Sequence, residues 1–326
     1  MAMVMAAERV TAKDYRVDEA IDWCPGCGDF GILSSIQQAL AGLGLLPHQV
    51  AIFGGIGCSG KAQYYTSAYG VHTLHGRVLP YATGAKLANP ELTVIAVGGD
   101  GDGLAIGAGH FVNAGRRNVD LTYILFNNEV YGLTKGQAGP TLPLGLQTKS
   151  LPEPNMQGQV NSLMLALAVG FTWIGRGYAY NVKQLTSLIQ RAIQHPGLAY
   201  LDVLQPCPTY NNLHTRDWYA GKDREGQQSR IYDVEEEGYN PVVLAGASED
   251  QLFGKVCEFN ELAHQWGDRI PTGVFLENRA VSTFEERIKE RIPTYRAVPP
   301  AQRVIADERG YTNADLSSFL AEFTLS

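Results

Sequence analysis

Short apolar runs and amphipathic segments alternate along roughly the first two hundred residues of the chain. Nearly continuous apolar runs bounded by glycine or polar residues are typical of strands that are covered on both faces, and apolar residues at helical spacing indicate helices. The predicted strands cover residues 50–53, 92–97, 120–126, 171–174 and 200–204. The predicted helices cover residues 30–43, a segment from about Tyr81, 104–115, 160–169 and 182–194. This alternation predicts an α/β fold with a doubly wound parallel sheet.

The pattern changes in two later segments. Residues 137–158 are rich in proline and glycine and predict a long surface loop, which is often functional. From residue 213 onward charges and scattered aromatic residues replace the strand and helix alternation, and helices are predicted only at 249–266 and 313–323. We therefore divide the chain into a domain of residues 1–212 and an irregular C-terminal extension, 213–326. The extension is expected to pack on the sheet or on a partner subunit, and a partly disordered tail is the alternative.

Composition excludes several functional classes. The chain has 326 residues, 45% of them hydrophobic, which is enough for a large core. Its formal net charge is −7 and it has no basic run, which argues against nucleic acid as the main partner. No apolar stretch is long enough to span a membrane, and the N-terminus acquires charge too early for a signal peptide. We expect a cytoplasmic protein whose thiols stay reduced.

Two polar positions follow neighbouring predicted strands. Asp100 lies between Gly99 and Gly101 after strand 92–97, and Asn128 follows strand 120–126. The carboxyl ends of parallel strands meet at one edge of a sheet, so these side chains should lie close together. Their oxygens, with the backbone carbonyl of Val130, suit Mg²⁺, and the N-terminus of the following helix favours an anion. The sequence thus predicts a cation held against a diphosphate.

An ordinary nucleotide-binding βαβ unit with chance asparagines is the alternative interpretation. The complete strand, helix and strand around the motif favour the first interpretation. Gly99-Asp100-Gly101 followed by Asn127-Asn128 resembles the fingerprint of the thiamine-diphosphate enzymes. The resemblance implies thiamine diphosphate and Mg²⁺ as cofactors.

Four of the five cysteines lie in predicted loops beside glycine or proline: Cys24, Cys27, Cys58 and Cys207. A Cys-x-x-Cys pair alone is compatible with a redox dithiol, a zinc site or a cluster ligand pair. Four thiolates can hold a structural zinc ion or a [4Fe–4S] cluster, and their spacing does not separate these two metals. Cys58 and Cys207 come singly, at the ends of strands that flank the diphosphate loop. Cys257 lies among apolar residues at helical spacing and is predicted to be a buried core thiol without a ligand role.

Thiamine diphosphate beside a four-cysteine site resembles the 2-oxoacid:ferredoxin oxidoreductases, and the chain looks like their β subunit of the two-subunit type. The resemblance runs from about residue 23 to 212 and includes CPGCG, GIGCSGK, TLHGR, PYATGAKLANP, GGDGDG, LFNNEVYGLTKGQ and QPCPTYN. It implies oxidative decarboxylation of a 2-oxoacid, such as 2-oxoglutarate or pyruvate, with coenzyme A as co-substrate. The products would be acyl-CoA and CO₂, and electrons would pass through a [4Fe–4S] cluster to ferredoxin.

The resemblance also implies roles for single residues. Lys61 would pair with the carboxylate of the 2-oxoacid, and Lys135, next to Leu133, would read or gate the far end of the substrate. As ordinary lysines both would point to solvent. His75 would contact the cofactor or a reacting group, although a hydrogen-bonded structural histidine is the alternative, and His72 is a weaker candidate. Asp102 is a cofactor contact or a helix cap. The remaining predicted cofactor contacts are Gly57, Ser59, Arg77, Gly99, Gly101, Leu133 and Thr134, with Thr83 and Lys86 on the helix that follows Arg77.

A partner chain is implied as well. The pyrimidine ring of thiamine diphosphate needs a glutamate that the family supplies from a second, homologous domain, and residues after 213 show no second βαβ series. An α subunit would carry that half, in an αβ heterodimer or a dimer of heterodimers, and this chain alone would be inactive. Two alternatives stay open: a non-oxidative thiamine-diphosphate decarboxylase or synthase subunit with structural zinc, and a metal-stapled scaffold subunit.

Overall fold

A central sheet flanked by helices forms the body of the protein. The computed structural model describes residues 10–323. The strands are β1 (Val50–Gly54), β2 (Tyr69–His72), β3 (Thr93–Gly99), β4 (Leu121–Asn127), β5 (Val130–Tyr131), β6 (Gln137–Ala138), β7 (Trp173–Tyr178), β8 (Leu198–Leu204), β9 (Ile231–Asp233), β10 (Val242–Val243) and β11 (Ile270–Asn278). The α-helices are α1 (Asp29–Gly42), α2 (Val78–Ala88), α3 (Ala108–Gly115), α4 (Ser162–Val169), α5 (Val182–Gln194), α6 (Arg216–Tyr219), α7 (Glu249–Ala263), α8 (Phe284–Arg291) and α9 (Ser317–Ala321).

The sheet is almost entirely parallel. Its strand order is β10-β11-β7-β8-β4-β3-β1-β2, with β9 also paired to β11. The pairs from β7 to β2 are parallel, whereas β11 runs antiparallel to β7. The short strands β5 and β6 form a separate antiparallel ribbon. The predicted doubly wound parallel α/β sheet is therefore confirmed.

Two hydrophobic cores lie on opposite faces of the sheet. Along β3, Ile95 and Val97 belong to the core under α1 and α5, and Val94 and Ala96 belong to the core under α2, α3, α4 and α7. Successive side chains of a strand point to opposite faces, so each apolar residue of β3 is buried on one side or the other. This arrangement explains the continuous apolar runs in the sequence.

Strand β7 differs from its prediction because its sequence is not apolar. The expected strand at 171–174 instead covers Trp173–Tyr178 and includes Gly175-Arg176-Gly177. The Arg176 guanidinium is buried and its Nε donates to Asp202 Oδ2 on β8 at 2.9 Å. A buried charge that has a paired carboxylate is tolerated in a sheet interior. Hydrophobic patterning alone does not reveal such a strand.

The predicted surface loop at 137–158 is partly buried. Thr141, Leu142 and Thr148 are each less than 10% exposed. Backbone hydrogen bonds between Gly145 and Asn155 and between Asn155 and Leu146 tie the segment to itself. The segment packs against the end of β3, which brings its side chains to the carboxyl edge of the sheet.

The C-terminal extension is more regular than predicted. It contributes β9, β10 and β11 to the main sheet, and α8 was not foreseen. The predicted helix at 249–266 ends at Ala263, and the helix predicted at 313–323 covers only Ser317–Ala321. No helix among residues 10–323 is long and apolar enough to cross a membrane.

The prediction that Cys257 is a buried core thiol is wrong. Cys257 is exposed on α7, which buries only Phe259 and Ala263. The helix has apolar residues on two faces, and only one of them packs on the sheet. Phe253, on the other face, is 71% exposed. Helical spacing of apolar residues therefore identified the helix correctly and its buried face incorrectly.

A buried histidine contributes to the pH dependence of stability. His195 Nε2 lies 2.8 Å from Thr172 Oγ1, and burial lowers the pKa of His195 from 6.5 to about 4. The unfolded chain therefore binds a proton that the folded chain excludes, so His195 by itself lowers the stability as the pH drops from about 6.5 towards 4. Asp29 and Asp100, whose pKa values burial raises to about 7, act in the opposite direction, so the contribution of His195 is measured against a variant. Between pH 6.5 and 4 we expect the unaltered protein to lose about 3 kcal/mol relative to His195→Gln in denaturant unfolding, whereas His48→Gln, at an exposed histidine, should follow the unaltered protein.

Candidate functional site

Four neighbouring parallel strands bring polar and sulfur side chains to one edge of the sheet. Cys58 follows β1, Asp100 follows β3, Asn128 follows β4 and Cys207 follows β8. Strands β8, β4, β3 and β1 are adjacent in that order. The carboxyl ends of adjacent parallel strands are the usual place for a ligand in such sheets.

A cavity of about 210 Å³ opens at this edge. Nearly all of the predicted cofactor contacts line it. The predicted residues along its wall are Gly57, Ser59, His75, Gly99, Asp100, Gly101, Asp102, Asn128, Val130, Leu133 and Thr134. Tyr131 also lines it, and its ring approaches Gly101 so closely that a Cβ at position 101 would lie 2.2 Å from Tyr131 Cε1. Glycine is therefore required at position 101 to make room for the tyrosine ring.

Asp100 presents one free carboxylate oxygen in a buried position. The side chain is 1% exposed, and Oδ1 has no hydrogen-bond partner among the described residues. Burial raises the pKa of Asp100 to about 7. Asn128 Oδ1 lies at the same wall and accepts a hydrogen bond from Val130 N at 3.0 Å. A buried carboxylate oxygen beside an amide oxygen is a donor set that suits a hard divalent cation.

The second oxygen of Asp100 belongs to a buried hydrogen-bond network. Thr141 Oγ1 lies 2.9 Å from Asp100 Oδ2 and 2.7 Å from Asn127 Oδ1, so its single proton serves one of the two at a time. Asn127 Nδ2 donates to Asp202 Oδ1 at 3.0 Å, and Arg176 neutralises Asp202. These contacts leave Oδ1 as the carboxylate oxygen that is available to a cation.

Asp102 connects three loops and does not cap a helix. It lies inside a π-helix, Gly101–Ile106, a geometry that is frequent at functional sites. Its Oδ1 accepts hydrogen bonds from Ile56 N at 2.9 Å and Gly76 N at 2.8 Å, and lies 3.0 Å from His75 Nδ1. The interpretation of Asp102 as a cap is therefore wrong. Its contacts hold the His75 ring at the cavity wall.

Two predicted basic residues near α2 lie away from the cavity. Arg77 does not line it, and its Nη1 donates to the carbonyl oxygens of Gly76 at 3.2 Å and Ile106 at 3.4 Å. Lys86 is buried, where its Nζ lies 3.0 Å from Asp120 Oδ2. The adjacent groove between α2 and α3 includes Thr83. Sequence proximity to His75 therefore does not place these side chains at the cofactor cavity.

His72 also lies outside the cavity wall. It is exposed, and its ring stacks on Tyr64 with centroids 5.0 Å apart. Its Nδ1 lies 3.3 Å from Gln63 Nε2. These contacts agree with a structural role for His72, which was the weaker of the two histidine candidates in the sequence.

The four loop cysteines line one second cavity of about 170 Å³. Cys27 N donates to Cys24 O at 3.0 Å, which closes the turn between them, and Gly26 in that turn has a φ of +77°. Trp23 Nε1 donates to Cys58 O at 2.9 Å. Among residues 10–323, no three histidine, cysteine or acidic side chains form a group that could hold a metal ion. The four thiols instead line the wall of this cavity.

The cofactor cavity and the cysteine cavity adjoin. Both are lined by Cys58, Asn128, Gly132 and Leu133. A Cβ on Gly132 would lie 3.7 Å from Cys58 Sγ and 3.9 Å from Cys207 Sγ. Gly132 therefore lies between the two cavities, where any side chain would contact two of the thiols.

The cysteine cavity is unfavourable for uncompensated negative charge. Burial raises the pKa of Cys27, of Cys58 to about 11, and of Cys207. Asp29 is also buried there beside Cys27, and burial raises its pKa to about 7. Thiolates in this position need a cationic partner such as a metal centre.

The two predicted substrate lysines lie in different places. Lys61 lines the cysteine cavity, and its Nζ contacts Asp22 Oδ2 at 2.7 Å. Lys135 is exposed, with a φ of +80°, and does not line the cofactor cavity, whereas its neighbour Leu133 does. The structure therefore does not bring the two ammonium groups together.

Three polar residues at or beside the two cavities were missed in the sequence. Glu129 has a φ of +66°, and its Oε2 lies 2.6 Å from His214 Nδ1 and accepts from Asn211 Nδ2 at 2.9 Å. Gln205 and Thr141 contact residues of the two cavities. Gln205 directly follows a buried strand and precedes Cys207, a position that could have drawn attention to it. Thr141 had no such signal, because it lies in an irregular segment.

Comparisons with known proteins agree with this geometry. The model of the C-terminal TPP-binding domain of thiamine pyrophosphate enzymes matches residues 48–203, and the model of the C-terminal part of the pyruvate ferredoxin oxidoreductase β subunit matches residues 207–291. The chain is 53% identical to the 2-oxoacid:ferredoxin oxidoreductase subunit β of Saccharolobus solfataricus, over 92% of this chain and 96% of the relative. It is 49% identical to 2-oxoacid:ferredoxin oxidoreductase 2, subunit β, of Aeropyrum pernix, over 90% and 91%.

A solved structure is similar over nearly the full length. The 2-oxoglutarate:ferredoxin oxidoreductase from Magnetococcus marinus, with 2-oxoglutarate, coenzyme A and succinyl-CoA bound, matches with a TM-score of 0.78 and 32% identity. The match covers 98% of this chain and 97% of that chain. The chain belongs to the β subunits of the 2-oxoacid:ferredoxin oxidoreductases, enzymes that work with a partner subunit.

Proposed function

We propose that this chain holds thiamine diphosphate, Mg²⁺ and a [4Fe–4S] cluster in an enzyme that converts a 2-oxoacid and coenzyme A to acyl-CoA and CO₂ and passes the electrons to ferredoxin. The observation that carries the proposal is the adjoining pair of cavities. Electron transfer from a cofactor to a cluster requires short separation, and the two cavities share Cys58, Asn128, Gly132 and Leu133. When bound, thiamine diphosphate supplies the carbanion chemistry and the cluster accepts electrons.

The protein's part at the first cavity is to hold the diphosphate through its cation. Asp100 Oδ1 and Asn128 Oδ1 would bind Mg²⁺, together with the backbone carbonyl of Val130. The free buried oxygen of Asp100 supports this assignment. His75, held by Asp102, would donate to the cofactor or the reacting group from the wall of the same cavity.

A cluster explains the second cavity better than a zinc staple. A single Zn²⁺ ion draws four sulfur atoms to about 2.3 Å from one point. Such a site needs little space, whereas the cavity that the four cysteines line, together with neighbours such as Lys61 and Tyr210, measures about 170 Å³ and has room for a larger group. The non-oxidative enzyme with structural zinc is therefore the less favoured alternative.

The substrate contacts stay predictions. Leu133 belongs to both cavities, and Lys135 would reach the far end of the 2-oxoacid from an exposed position. Lys61 would contact the substrate carboxylate only after it leaves Asp22. An unaltered Michaelis constant in Lys61→Ala would contradict that role. An unchanged order of preference among 2-oxoacids in a Lys135 variant would contradict the role of Lys135 at the far end of the substrate.

The proposal is tested on the complex co-purified with its natural partner, the α subunit. A panel of 2-oxoacids is assayed anaerobically with coenzyme A and a viologen acceptor, and iron, zinc and acid-labile sulfide are measured. Coenzyme A-dependent viologen reduction with iron and sulfide present would support the proposal. Zinc without sulfide would favour the non-oxidative alternative. Absence of thiamine diphosphate binding would favour a scaffold subunit.

Thr141 should affect cation binding although it does not contact the cation. In Thr141→Val the side chain keeps its shape and loses its hydroxyl, which leaves Asp100 Oδ2 without its partner. We expect Mg²⁺ affinity in the presence of thiamine diphosphate to fall about tenfold, because outer-shell partners of metal ligands contribute ten- to a hundredfold. Calorimetric titration measures this, and Thr141→Ser should bind like the unaltered protein. Equal affinity in the valine variant would contradict this role.

A further inference from the structure

One buried side chain contacts both cavities. Gln205 is 1% exposed and lies directly after β8. Its Oε1 accepts a hydrogen bond from Asn128 Nδ2 at 2.8 Å, and its Nε2 donates to Cys27 Sγ at 3.2 Å. A single amide group therefore connects a predicted ligand of the cation with a predicted ligand of the cluster.

The position of the Gln205 amide is fully determined by its contacts. Nε2 has two protons, and the second one is donated to Pro206 O at 2.9 Å. If the oxygen and nitrogen of the Gln205 amide were exchanged, two N–H donors would face each other at Asn128 Nδ2. Two oxygens would face each other at Pro206 O. The donor therefore faces the sulfur and the acceptor faces Asn128.

The backbone and the packing around Gln205 hold the side chain in place. Gln205 N donates to Asn127 O at 2.8 Å, which extends the pairing of β8 with β4 by one residue. Gly28, directly after Cys27, packs against the side chain so closely that a Cβ there would lie 2.9 Å from Gln205 Cγ. Movement of Gln205 would therefore disturb the sheet edge and the cysteine loop together.

We propose that Gln205 is a positioning residue that couples the two cofactor sites, raising the reduction potential of the cluster through its hydrogen bond to Cys27 and orienting Asn128 towards the cation. This rests on the proposed function. An N–H group that donates to a ligand sulfur stabilises the more negative, reduced cluster, and such hydrogen bonds are among the factors that set cluster potentials. The same Gln205 amide accepts a hydrogen bond from Asn128 Nδ2, which leaves Asn128 Oδ1 for the cation.

Two substitutions separate the two halves of this role. Gln205→Glu keeps an acceptor for Asn128 Nδ2 and removes the N–H donor to Cys27 Sγ. Gln205→Leu is of similar size and removes both contacts. Gln37→Leu is the matched control, because Gln37 is also a buried glutamine whose Nε2 donates to backbone oxygens, those of Tyr15 and Tyr65, and it contacts neither cavity.

The measurements use the anaerobically purified complex of this chain with its partner subunit. Redox titration followed by electron paramagnetic resonance gives the cluster midpoint potential, and calorimetry gives the Mg²⁺ dissociation constant in the presence of thiamine diphosphate. We expect both Gln205 variants to lower the ratio of reduced to oxidised cluster about tenfold at a fixed potential. For a one-electron couple this is a fall of about 59 mV in the midpoint potential. Mg²⁺ affinity should fall about tenfold in Gln205→Leu and stay within about threefold in Gln205→Glu.

The outcomes distinguish this inference from the proposed function. A midpoint potential in both Gln205 variants equal to that of the unaltered complex would overturn the role at Cys27. Unchanged Mg²⁺ affinity in Gln205→Leu would overturn the role at Asn128. An equal shift of the potential in Gln37→Leu would assign the effect to general loss of packing and overturn the specific role. Absence of iron and sulfide from the unaltered complex would instead contradict the proposed function itself.

Discussion

Asp100→Ala should abolish thiamine diphosphate binding in the assembled enzyme while leaving the fold intact. The aspartate supplies a buried carboxylate oxygen that has no hydrogen-bond partner among the described residues, and alanine offers the cation no ligand at that position. We expect affinity for thiamine diphosphate at saturating Mg²⁺ to fall by more than about a hundredfold, since even outer-shell partners of a metal ligand contribute ten- to a hundredfold. Calorimetric titration of the complex measures the change.

A second readout separates lost binding from lost structure. Only one of the two Asp100 oxygens is hydrogen-bonded, and burial without the cation disfavours the charge, so the unfolding temperature of cofactor-free Asp100→Ala should stay close to that of the unaltered protein. Asp18→Ala, at an exposed aspartate, is the matched control and should change neither quantity. Cofactor binding by Asp100→Ala within a few fold of the unaltered complex would refute the assignment of Asp100 as the cation ligand.

Cys207→Ser should remove the cluster and leave the thiamine site largely intact. Cys207 lines only the cysteine cavity, whereas Cys58 lines both, so Cys207 is the cleaner position to change. A four-iron cluster requires four thiolate ligands, and we expect iron and acid-labile sulfide to fall more than about tenfold. Viologen reduction should fall in parallel, because the electrons lose their exit. Thiamine diphosphate affinity should stay within about threefold of the unaltered value, since Cys207 lies outside the cofactor cavity.

The chain contains a suitable control for this experiment. Cys257→Ser removes an exposed thiol on α7 and should leave iron, sulfide and activity unchanged. Full iron and sulfide content in Cys207→Ser would mean that Cys207 is not a ligand. Zinc in place of iron in the unaltered protein would favour the non-oxidative alternative instead.

The location of the site could be predicted from the sequence because it depends on strand ends. Strands β3 and β4 are buried on both faces, which makes their apolar runs visible and locates Asp100 and Asn128 at the same edge. The single cysteines Cys58 and Cys207 also follow strands, so their convergence could be expected from topology, whereas the place of the Cys24 loop was implied by the family resemblance. Glycine-rich motifs then indicated most of the cavity wall.

Other features could not be predicted because they depend on long-range contacts between residues with ordinary local sequence. Strand β7 has a buried arginine, and its partner Asp202 is distant along the chain. Thr141 and Gln205 acquire their positions only when the sheet edge is assembled. Cys257 was assigned to the wrong face of α7, because apolar spacing does not indicate which of two apolar faces finds a neighbour.

The antiparallel pairing of β11 with β7 has a consequence for biosynthesis. During translation β7 leaves the ribosome about a hundred residues before Ile270–Asn278, and it stays an open edge of the growing sheet until that strand arrives. Unprotected edges recruit other chains, and contacts between segments so far apart slow folding. Nascent protein should therefore depend on chaperones late in synthesis. A product that stops after residue 212 should aggregate, even though it contains every residue of both cavities.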